Sequence, residues 1–372
     1  MDISLGLPVN FLFHKHNMQS IAALIPLIPG ANLVRQPFEG IMVYSFATPQ
    51  AESVFHEVER CCKDAIFIAG GPHPSARPDE TLRYFDYVVI GEGEETLPEL
   101  IATIQNGSDV SSVKGIAFEK DGIFLTKKRE NVDLDKFPPF DPFIMHNTIE
   151  ISRGCPFNCA YCQTPQLFGH MMRHRSIDII SRNARFLKDV RFTSPNAFAY
   201  GSDGIHPNVG KIEKLLSALP RDRKIFFGTF PCEVRPEFIS DRLLEIVSGY
   251  CANNTINMGG QSGSQRILDS IKRGHTVEDI FIGAEKCLGH GFTPVVDFIF
   301  GLPGEIEEDQ RETLRVIKWL TGQGGKVHSH YFMPLPGTAF EERMPAPLSK
   351  SINRIIGKLA LHGKATGVWS KA

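Results

Sequence analysis

Short runs of apolar, β-branched residues alternate along the first hundred positions with segments of helical period. Residues 9–13, 40–45, 65–69 and 87–90 read as buried parallel strands. Residues 17–28 and 50–63 read as crossover helices, the first ending early at Pro26, whose ring and missing N–H interrupt the helical ladder. The alternation predicts an open α/β sheet. Its strands run into small or polar loops: Ser45-Phe46-Ala47-Thr48, Gly70-Gly71-Pro72-His73 and Gly91-Glu92-Gly93-Glu94. In such sheets ligands sit outside the carboxyl ends of the strands.

Residues 114–129 hold two short strands around the turn Asp121-Gly122, and Pro138-Pro139 with Pro142 form a stiff linker, so a boundary is expected near residue 140. Beyond it the βα alternation resumes, with strands near 148–153, 197–201, 224–228, 254–259, 294–300 and 327–332. Six parallel βα units predict a partial or full barrel with right-handed crossovers and chemistry at the strand ends. The expected division is 1–110, a hairpin and linker over 111–145, the barrel over 146–340 and an extension over 341–372. The tail from Pro345 is basic and partly helical.

A chain of 372 residues is long enough for two cores. Its 40 basic and 42 acidic residues give a net charge of -2, so no broad footprint for nucleic acid or anionic lipid is present. There is no apolar run of the roughly 18 residues needed to span a bilayer, and the start Met1-Asp2 lacks a basic n-region. The expectation is a cytoplasmic protein with neither nucleic-acid nor membrane partners. Eight cysteines are too sparse for a disulfide scaffold.

Three of them are grouped. Cys155, Cys159 and Cys162 have C-x3-C-x2-C spacing directly after an expected strand, and Gly154 and Pro156 suit a tight backbone there. Structural zinc takes four ligands, whereas three leave a corner open for a substrate. Thiolates suit an iron–sulfur cluster; a zinc knuckle or incidental buried thiols are the alternatives. The triplet, with Tyr161 before its last cysteine, resembles the signature of the radical S-adenosylmethionine (SAM) superfamily. Further matches follow in order: 257–264 (Asn-Met-Gly-Gly-Gln-Ser-Gly-Ser), Arg273-Gly274-His275-Thr276, Phe300-Gly301-Leu302-Pro303-Gly304-Glu305 and Pro334-Leu335-Pro336-Gly337-Thr338.

The resemblance implies a 4Fe-4S cluster that binds the amino and carboxylate groups of SAM at its open iron. One electron then cleaves SAM to methionine and a 5'-deoxyadenosyl radical. It assigns Cys155, Cys159 and Cys162 to the cluster, Tyr161 to the adenine, and Gln261 and Ser262 to the ribose or carboxylate. Gly201, Ser202 and Asp203 stand where a Gly-Gly-Glu segment usually holds the SAM amino group; Arg273 would pair with the carboxylate, and Phe332 completes the SAM-binding set. His170 and His174, at i,i+4 spacing, are read as a solvated or substrate-facing loop rather than a second metal pair. Tyr200 and Tyr331 lie at strand ends, as cavity, core or rim residues.

Residues 9–105 are similar to the cobalamin-binding domain of cobalamin-dependent radical SAM enzymes. The implied fold is α/β: a Rossmann-like cobalamin-binding domain, then a radical SAM partial (β/α)6 barrel and a short C-terminal extension. Glycine-rich strand ends let the backbone approach a broad macrocycle. The implied corrin contacts are His14, His16, Asn17, Ser45, Phe46, Thr48, Gly70, Gly71, Pro72, His73, Gly91, Glu92, Gly93 and Glu94. An Asp-x-His-x-x-Gly motif is absent, so no protein histidine is expected on cobalt. Methylthiotransferases carry three further cysteines in their N-terminal domain. Here only the adjacent Cys61-Cys62 occurs, in an expected helix where neighbours point about 100° apart, so sulfur insertion is disfavoured. Cys232, Cys251 and Cys287 read as small buried hydrophobes.

The pairing implies C-methylation of an unactivated sp3 carbon through the deoxyadenosyl radical and methylcobalamin, with a second SAM restoring the methyl group. The compact N-terminal domain, Tyr200-Gly201-Ser202-Asp203-Gly204 and the ending at 361–370 resemble the archaeal family that C-methylates a glutamine in the methyl-coenzyme M reductase alpha subunit. That would be a post-translational modification in methanogenesis. The implied partners are this subunit, engaged before it folds, and an unidentified electron donor; the basic tail and the 166–175 loop are docking candidates. The alternatives are methylation or oxidative cyclisation of a small molecule, and a non-catalytic iron–sulfur and cobalamin-binding protein.

Overall fold

The computed structural model describes residues 6–61 and 64–370, and the chain divides into two units, one reaching Thr148 and including Gln166–Phe168, the other Ile149–Pro165 with Gly169 onward. In the first, strands β1 (Val9–Leu12), β2 (Asn32–Val34), β3 (Gly40–Ser45), β4 (Ala65–Gly70), β5 (Tyr87–Val89), β6 (Ile116–Glu119) and β7 (Ile123–Leu125) form one sheet in the order β2-β1-β3-β4-β5-β6-β7. The helices are α1 (Met18–Leu24), α2 (Ala51–Glu59), α3 (Pro72–Ala76), α4 (Pro78–Thr81) and α5 (Gly93–Gln105).

Strand β3 shows why the runs are apolar throughout. Ile41 and Val43 pack with Phe11, Ile21 and Leu100 on one face, and Met42 and Tyr44 with Val54, Phe55 and Phe67 on the other. A strand covered on both faces has no polar side to show. β1 to β5 are parallel, and their order reverses between β1 and β3. The hairpin β6–β7 pairs antiparallel onto β5 and so continues this sheet.

Helix α1 stops at Leu24 and a single 3-10 turn carries Pro26, as its ring requires. The short exposed edge strand β2 carries no apolar period and is absent from the sequence reading. Two of the expected loops are half helix. Pro72 and His73 open α3, and Gly93 and Glu94 open α5, because proline and small or acidic residues suit a first helical turn. Cys61 follows the end of α2, and Cys62 lies outside the described residues.

In the second unit the strands are β8 (Ile149–Glu150), β9 (Ser152–Arg153), β10 (Arg173–His174), β11 (Asp189–Thr193), β12 (Lys224–Phe226), β13 (Thr255–Gln261), β14 (Thr293–Phe300), β15 (Lys326–Tyr331) and β16 (Ala365–Val368). Their helices are α6 (Thr164–Phe168), α7 (Ile177–Ala184), α8 (Val209–Ser217), α9 (Asp241–Tyr250), α10 (Gln265–Ser270), α11 (Val277–Gly289), α12 (Glu307–Gly322) and α13 (Lys350–Leu361). β8, β11 and β12 form one parallel sheet and β13 to β16 another. Asn257 N–H donates to Gly228 O (2.9 Å) and Val234 N–H to Asn257 O (2.9 Å), joining the two arcs across the β12–β13 gap. The result is a partial barrel.

The strand expected at 197–201 is instead β11 at Asp189–Thr193, and Ala197–Ala199 is a 3-10 turn capped by Asn196. The apolar Phe198 and Tyr200 are buried as the core of that loop, while the alternation of Val190 and Phe192 with polar neighbours marks the real strand. The tail is also part of the barrel sheet: β16 pairs parallel with β15, and Ile352 and Ile356 of α13 are fully buried. Among the described residues, no helix is long and apolar enough to cross a membrane.

Ile356→Ala should cost about 2–5 kcal/mol, the range for truncating a fully buried aliphatic side chain. A urea midpoint for the variant equal to that of the parent chain would show the tail to be loosely attached.

Candidate active site

The cysteine loop is held by close backbone contact. Gly154 has φ +89°, and a Cβ there would lie 2.3 Å from Met171 O, so only glycine allows this approach. Cys155 N–H donates to Gly169 O (3.1 Å), Ala160 N–H to Ile271 O (2.9 Å) and Cys162 N–H to Cys159 O (3.0 Å). Cys155, Cys159 and Cys162 thereby line one pocket with Asn196, Arg235 and Arg273.

All three are free thiols, and burial foremost pushes the Cys155 thiol pKa up. Among the described residues, no three His, Cys, Asp or Glu side chains are gathered tightly enough to hold a single metal ion. Three thiols on one pocket wall suit a multi-iron cluster, in which each sulfur takes its own iron. Iron binding would displace the thiol protons that burial otherwise retains.

Arg273, half-buried, brings a cation to the same pocket. Its Nη1 lies 3.9 Å from Cys159 Sγ and its Nη2 donates to Gly259 O (2.9 Å), while Nε is buried with no hydrogen-bond partner. An unmet guanidinium donor beside the thiols suits a carboxylate ligand. Arg235 supports it: one terminal nitrogen donates to Arg273 O, Nε donates to Glu237 (2.5 Å), and the guanidinium lies 3.5 Å from the centre of the Phe157 ring.

Tyr161 and Phe332 meet in one apolar cluster with Ile267, Leu268, Ile271 and Leu302. Gln261 is buried at the end of β13 with φ +67°, beside a register shift between Gly259 and Gln261. The other expected SAM residues have local tasks. Ser262 Oγ lies 3.3 Å from Thr313 Oγ1 of α12 and accepts from Ser264 N–H (3.1 Å). Ser202 Oγ donates to Ala199 O (2.9 Å) and accepts from Gly204 N–H (3.0 Å). Gly201 has φ +73°, and a Cβ there would run into Lys211. Asp203 Oδ1 accepts from Ile205 and His206 N–H (both 2.8 Å), and these bonds hold its carboxyl below the usual range. Its carboxylate caps its own turn, and Gly204 is the member of that segment on the pocket wall.

His170 is exposed, whereas His174 lies in β10, 2.8 Å from Ser152 Oγ and 2.7 Å from Ser202 O. The two histidines are separate, and His174 anchors the 200–204 segment. Tyr200 OH donates to Arg175 O (2.8 Å) and Tyr331 OH to Ala346 O (2.9 Å), so both tie loops. Cys232 and Cys287 are buried and Cys251 is partly so.

Sequence reasoning missed two carboxyls. Burial, reinforced by the neighbouring Asp297, pushes Glu233 up to about 8, and Asp297 sits 5% exposed in the middle of β14. Glu233 also feels the Arg273 charge. The available signal was a lone acid inside Val-Val-Asp-Phe-Ile-Phe, where a buried charge demands a reason. Glu305 is more local: its Oε2 accepts from Gly301 N–H (2.7 Å) and fixes the Gly-Leu-Pro-Gly turn.

In the first unit the anticipated corrin loops gather at the carboxyl edge, around the β1/β3 reversal where a doubly wound sheet opens a crevice. Asn17 closes its own turn, donating to Leu12 O (2.9 Å) and accepting from His14 N–H (2.9 Å). The His14 and His16 rings stack at 5.2 Å. Gly71 has φ +99°, and a Cβ there would sit 2.8 Å from Phe46 O and 3.0 Å from Ser45 Oγ. Gly91, φ +78°, donates its N–H to Ser75 Oγ (3.0 Å), at the end of the sheet where Gly70 also lies. His73 is buried, stacked on Phe46 at 5.8 Å, with Nδ1 3.3 Å from Thr48 Oγ1 and burial lowering its pKa. Glu92 accepts from Val132 N–H (2.7 Å), and Glu94 is buried. Side-chain-poor turns at this edge fit the close approach of a broad flat macrocycle, while His73, Glu92 and Asn17 are engaged in contacts within their own loops.

Comparison with known proteins follows these lines. Residues 149–317 match the radical SAM superfamily and residues 38–101 match the B12 binding domain. An uncharacterised methyltransferase of Pyrococcus horikoshii is 24% identical over 304 residues, covering 76% of this chain and 64% of that protein. This chain therefore spans just under two thirds of that relative's length. The radical SAM methyltransferase TsrM from Kitasatospora setae, solved with cobalamin and a 4Fe-4S cluster, superposes with a TM-score of 0.67 at 15% identity, over 90% of this chain and 73% of its own. TsrM has also been solved with a tryptophan substrate and a SAM analogue. The cobalamin-dependent SAM radical enzyme OxsB gives 0.62 at 18% identity, over 84% of this chain and 52% of its own. The fold is that of a B12-binding domain followed by a radical SAM domain, and the cofactors of such a chain are a 4Fe-4S cluster, SAM and cobalamin.

Arg273→Ala should leave the iron content after anaerobic reconstitution unchanged and weaken SAM binding about 10- to 100-fold, as expected when a charge-assisted pair is lost. Equal SAM affinity by equilibrium dialysis would remove Arg273 from the site. In the protein without cofactors, the raised Glu233 pKa means that the folded chain keeps a proton that the unfolded chain releases above its ordinary value of 4.5. Stability from this group is therefore present at low pH and lost as pH rises towards about 8. Glu233→Gln should flatten that slope in urea midpoints measured across the interval.

Proposed function

We propose that this chain is a cytoplasmic cobalamin-dependent radical SAM C-methyltransferase acting on an unactivated sp3 carbon, and that this carbon belongs to a glutamine of the methyl-coenzyme M reductase alpha subunit. The observation carrying the methyltransferase reading is the pocket that joins Cys155, Cys159 and Cys162 to Arg273, on a chain whose other unit matches the B12 binding domain. The glutamine rests on sequence resemblance, through Tyr200-Gly201-Ser202-Asp203-Gly204 and the ending at 361–370.

When bound, the cluster supplies the electron that cleaves SAM, and cobalamin supplies a transferable methyl group. The chain's own residues bind and orient. Cys155, Cys159 and Cys162 would hold the cluster, and the unmet Nε of Arg273 would receive the SAM carboxylate. Glu233 and Asp297 offer acceptors to the hydroxyl and ammonium groups of SAM, and the Tyr161–Phe332 cluster packs its base and excludes water. The alpha-subunit segment is the protein partner in this reading, and a separate electron donor serves the cluster.

A small-molecule substrate is the second reading, favoured by the tryptophan bound in the similarly folded TsrM. Anaerobic incubation of the reconstituted protein with SAM, reductant and a glutamine-containing reductase peptide separates them by mass spectrometry. The expected result is a peptide heavier by one methyl group, with deoxyadenosine and S-adenosylhomocysteine formed in step. Deoxyadenosine with an unmodified peptide would favour the small-molecule reading.

A further inference from the structure

The pocket of the three cysteines holds a second unmet donor, one that the binding of SAM does not use. Asn196 stands on the pocket wall, after β11 and at the start of the 3-10 turn Ala197–Ala199, and is 4% exposed. Its Oδ1 accepts from the backbone N–H of Phe198 (3.2 Å) and of Arg235 (3.4 Å). Two N–H donors can be met only by an oxygen, so the orientation of the amide is fixed and its other terminal atom is Nδ2. That nitrogen is buried and has no hydrogen-bond partner among the described residues. The backbone of Asn196 is committed as well: its N–H donates to Ser194 Oγ (3.3 Å), and its carbonyl accepts from Ala199 N–H (3.2 Å) and from Ser194 Oγ (3.1 Å). The donor is therefore set in place before anything binds.

The surroundings identify what this donor serves. Arg235 ties the Asn196 turn to the cysteine loop: its backbone N–H is bonded to Asn196, and its guanidinium lies 3.5 Å from the centre of the ring of Phe157, which stands between Cys155 and Cys159 in the sequence. The Arg235 charge also opposes the rise of the Cys155 pKa, which places it on the Cys155 side of the pocket. Arg273 is on the other side, with Nη1 3.9 Å from Cys159 Sγ. An amide nitrogen needs an acceptor. The ammonium of SAM is itself a donor, and the carboxylate goes to Arg273 in the proposed arrangement. The acceptors that remain in a pocket walled by Cys155, Cys159 and Cys162 are sulfurs.

We infer that Asn196 Nδ2–H donates to a cluster sulfur on the Cys155 side and thereby raises the reduction potential of the 4Fe-4S cluster, with Arg235 as the positioning residue that holds the cysteine loop against it. A cluster on three thiolates is an anion whose negative charge grows by one when a one-electron reductant reduces it. A donor fixed at sulfur therefore stabilises the reduced form more than the oxidised form. The inference deepens the methyltransferase reading and rests on its assignment of the cluster to this pocket.

The test uses the full-length protein with its cluster reconstituted anaerobically and no SAM added. It is reduced stepwise with dithionite and viologen mediators while electron paramagnetic resonance counts the reduced cluster. Asn196→Ser keeps a capping oxygen on a side chain too short to carry the donor, and Asn196→Asp keeps the shape and both accepted bonds but puts a carboxylate oxygen in place of Nδ2. At a solution potential where half of the parent cluster is reduced, the ratio of reduced to oxidised cluster should fall about tenfold in Asn196→Ser, 59 mV for a one-electron couple, and further in Asn196→Asp. Iron and sulfide content should match the parent. The sign separates this role from a structural one, because a loosened pocket admits water, which stabilises the more charged reduced form and raises the ratio. An unchanged or raised potential in the variants, or loss of the cluster from both, would overturn the inference. So would an unchanged potential with weakened SAM binding, which gives the amide to SAM. If Asn196→Ser does not fold, Asn196→Asp decides by the same criterion. A parent chain that takes up no cluster would overturn the cluster assignment and this inference with it, so iron content tells the two failures apart.

Discussion

The constraint on which the site depends is the enclosure of three thiols by a loop of eight residues, Cys155 to Cys162. Such a loop has no core of its own, and its backbone is tied to Gly169 on one side and Ile271 on the other. Gly154 and Gly204 let chain segments pass where any side chain would collide with Met171 or with Pro156 and Met172. The Ile271 anchor follows the end of α10, and Arg273, two residues later, reaches the same pocket as the cysteine loop that follows β9. Cluster, cation and barrel are thus consequences of one piece of backbone packing.

What was legible in the sequence is what periodicity and spacing encode. The strands of the first sheet were readable because each is buried on both faces, and the thiols because a cluster demands close ligands. What was hidden was set by tertiary contact. Phe198, Ala199 and Tyr200 resemble a strand because loops can also be core, and Asp189–Thr193 was overlooked although its alternation is regular. Ser262 and Asp203 carry the right chemistry in the right motifs, yet their oxygens serve Ser264 N–H and the 205–206 backbone. A motif gives the residue type; the hydrogen-bond partners give its task. Glu233, at the far side of a loop after β12, has meaning only once Asp297 is seen beside it.

The C-terminal segment shows the same point at the level of domains. Its basic composition reads as a docking arm, but β16 completes a parallel edge and α13 buries two isoleucines against the barrel. Thr366 against His328 is one of its contacts with the sheet, and deleting the tail removes a strand and a packed helix from the barrel.

Electrostatics sets the final relation among these parts. A buried guanidinium is costly unless anions meet it, and in the second unit Arg273 faces thiols on one side and the Glu233–Asp297 pair on the other. Burial and the adjacent Asp297 hold a proton on Glu233 well above the ordinary carboxyl range, while the Arg273 charge opposes that shift.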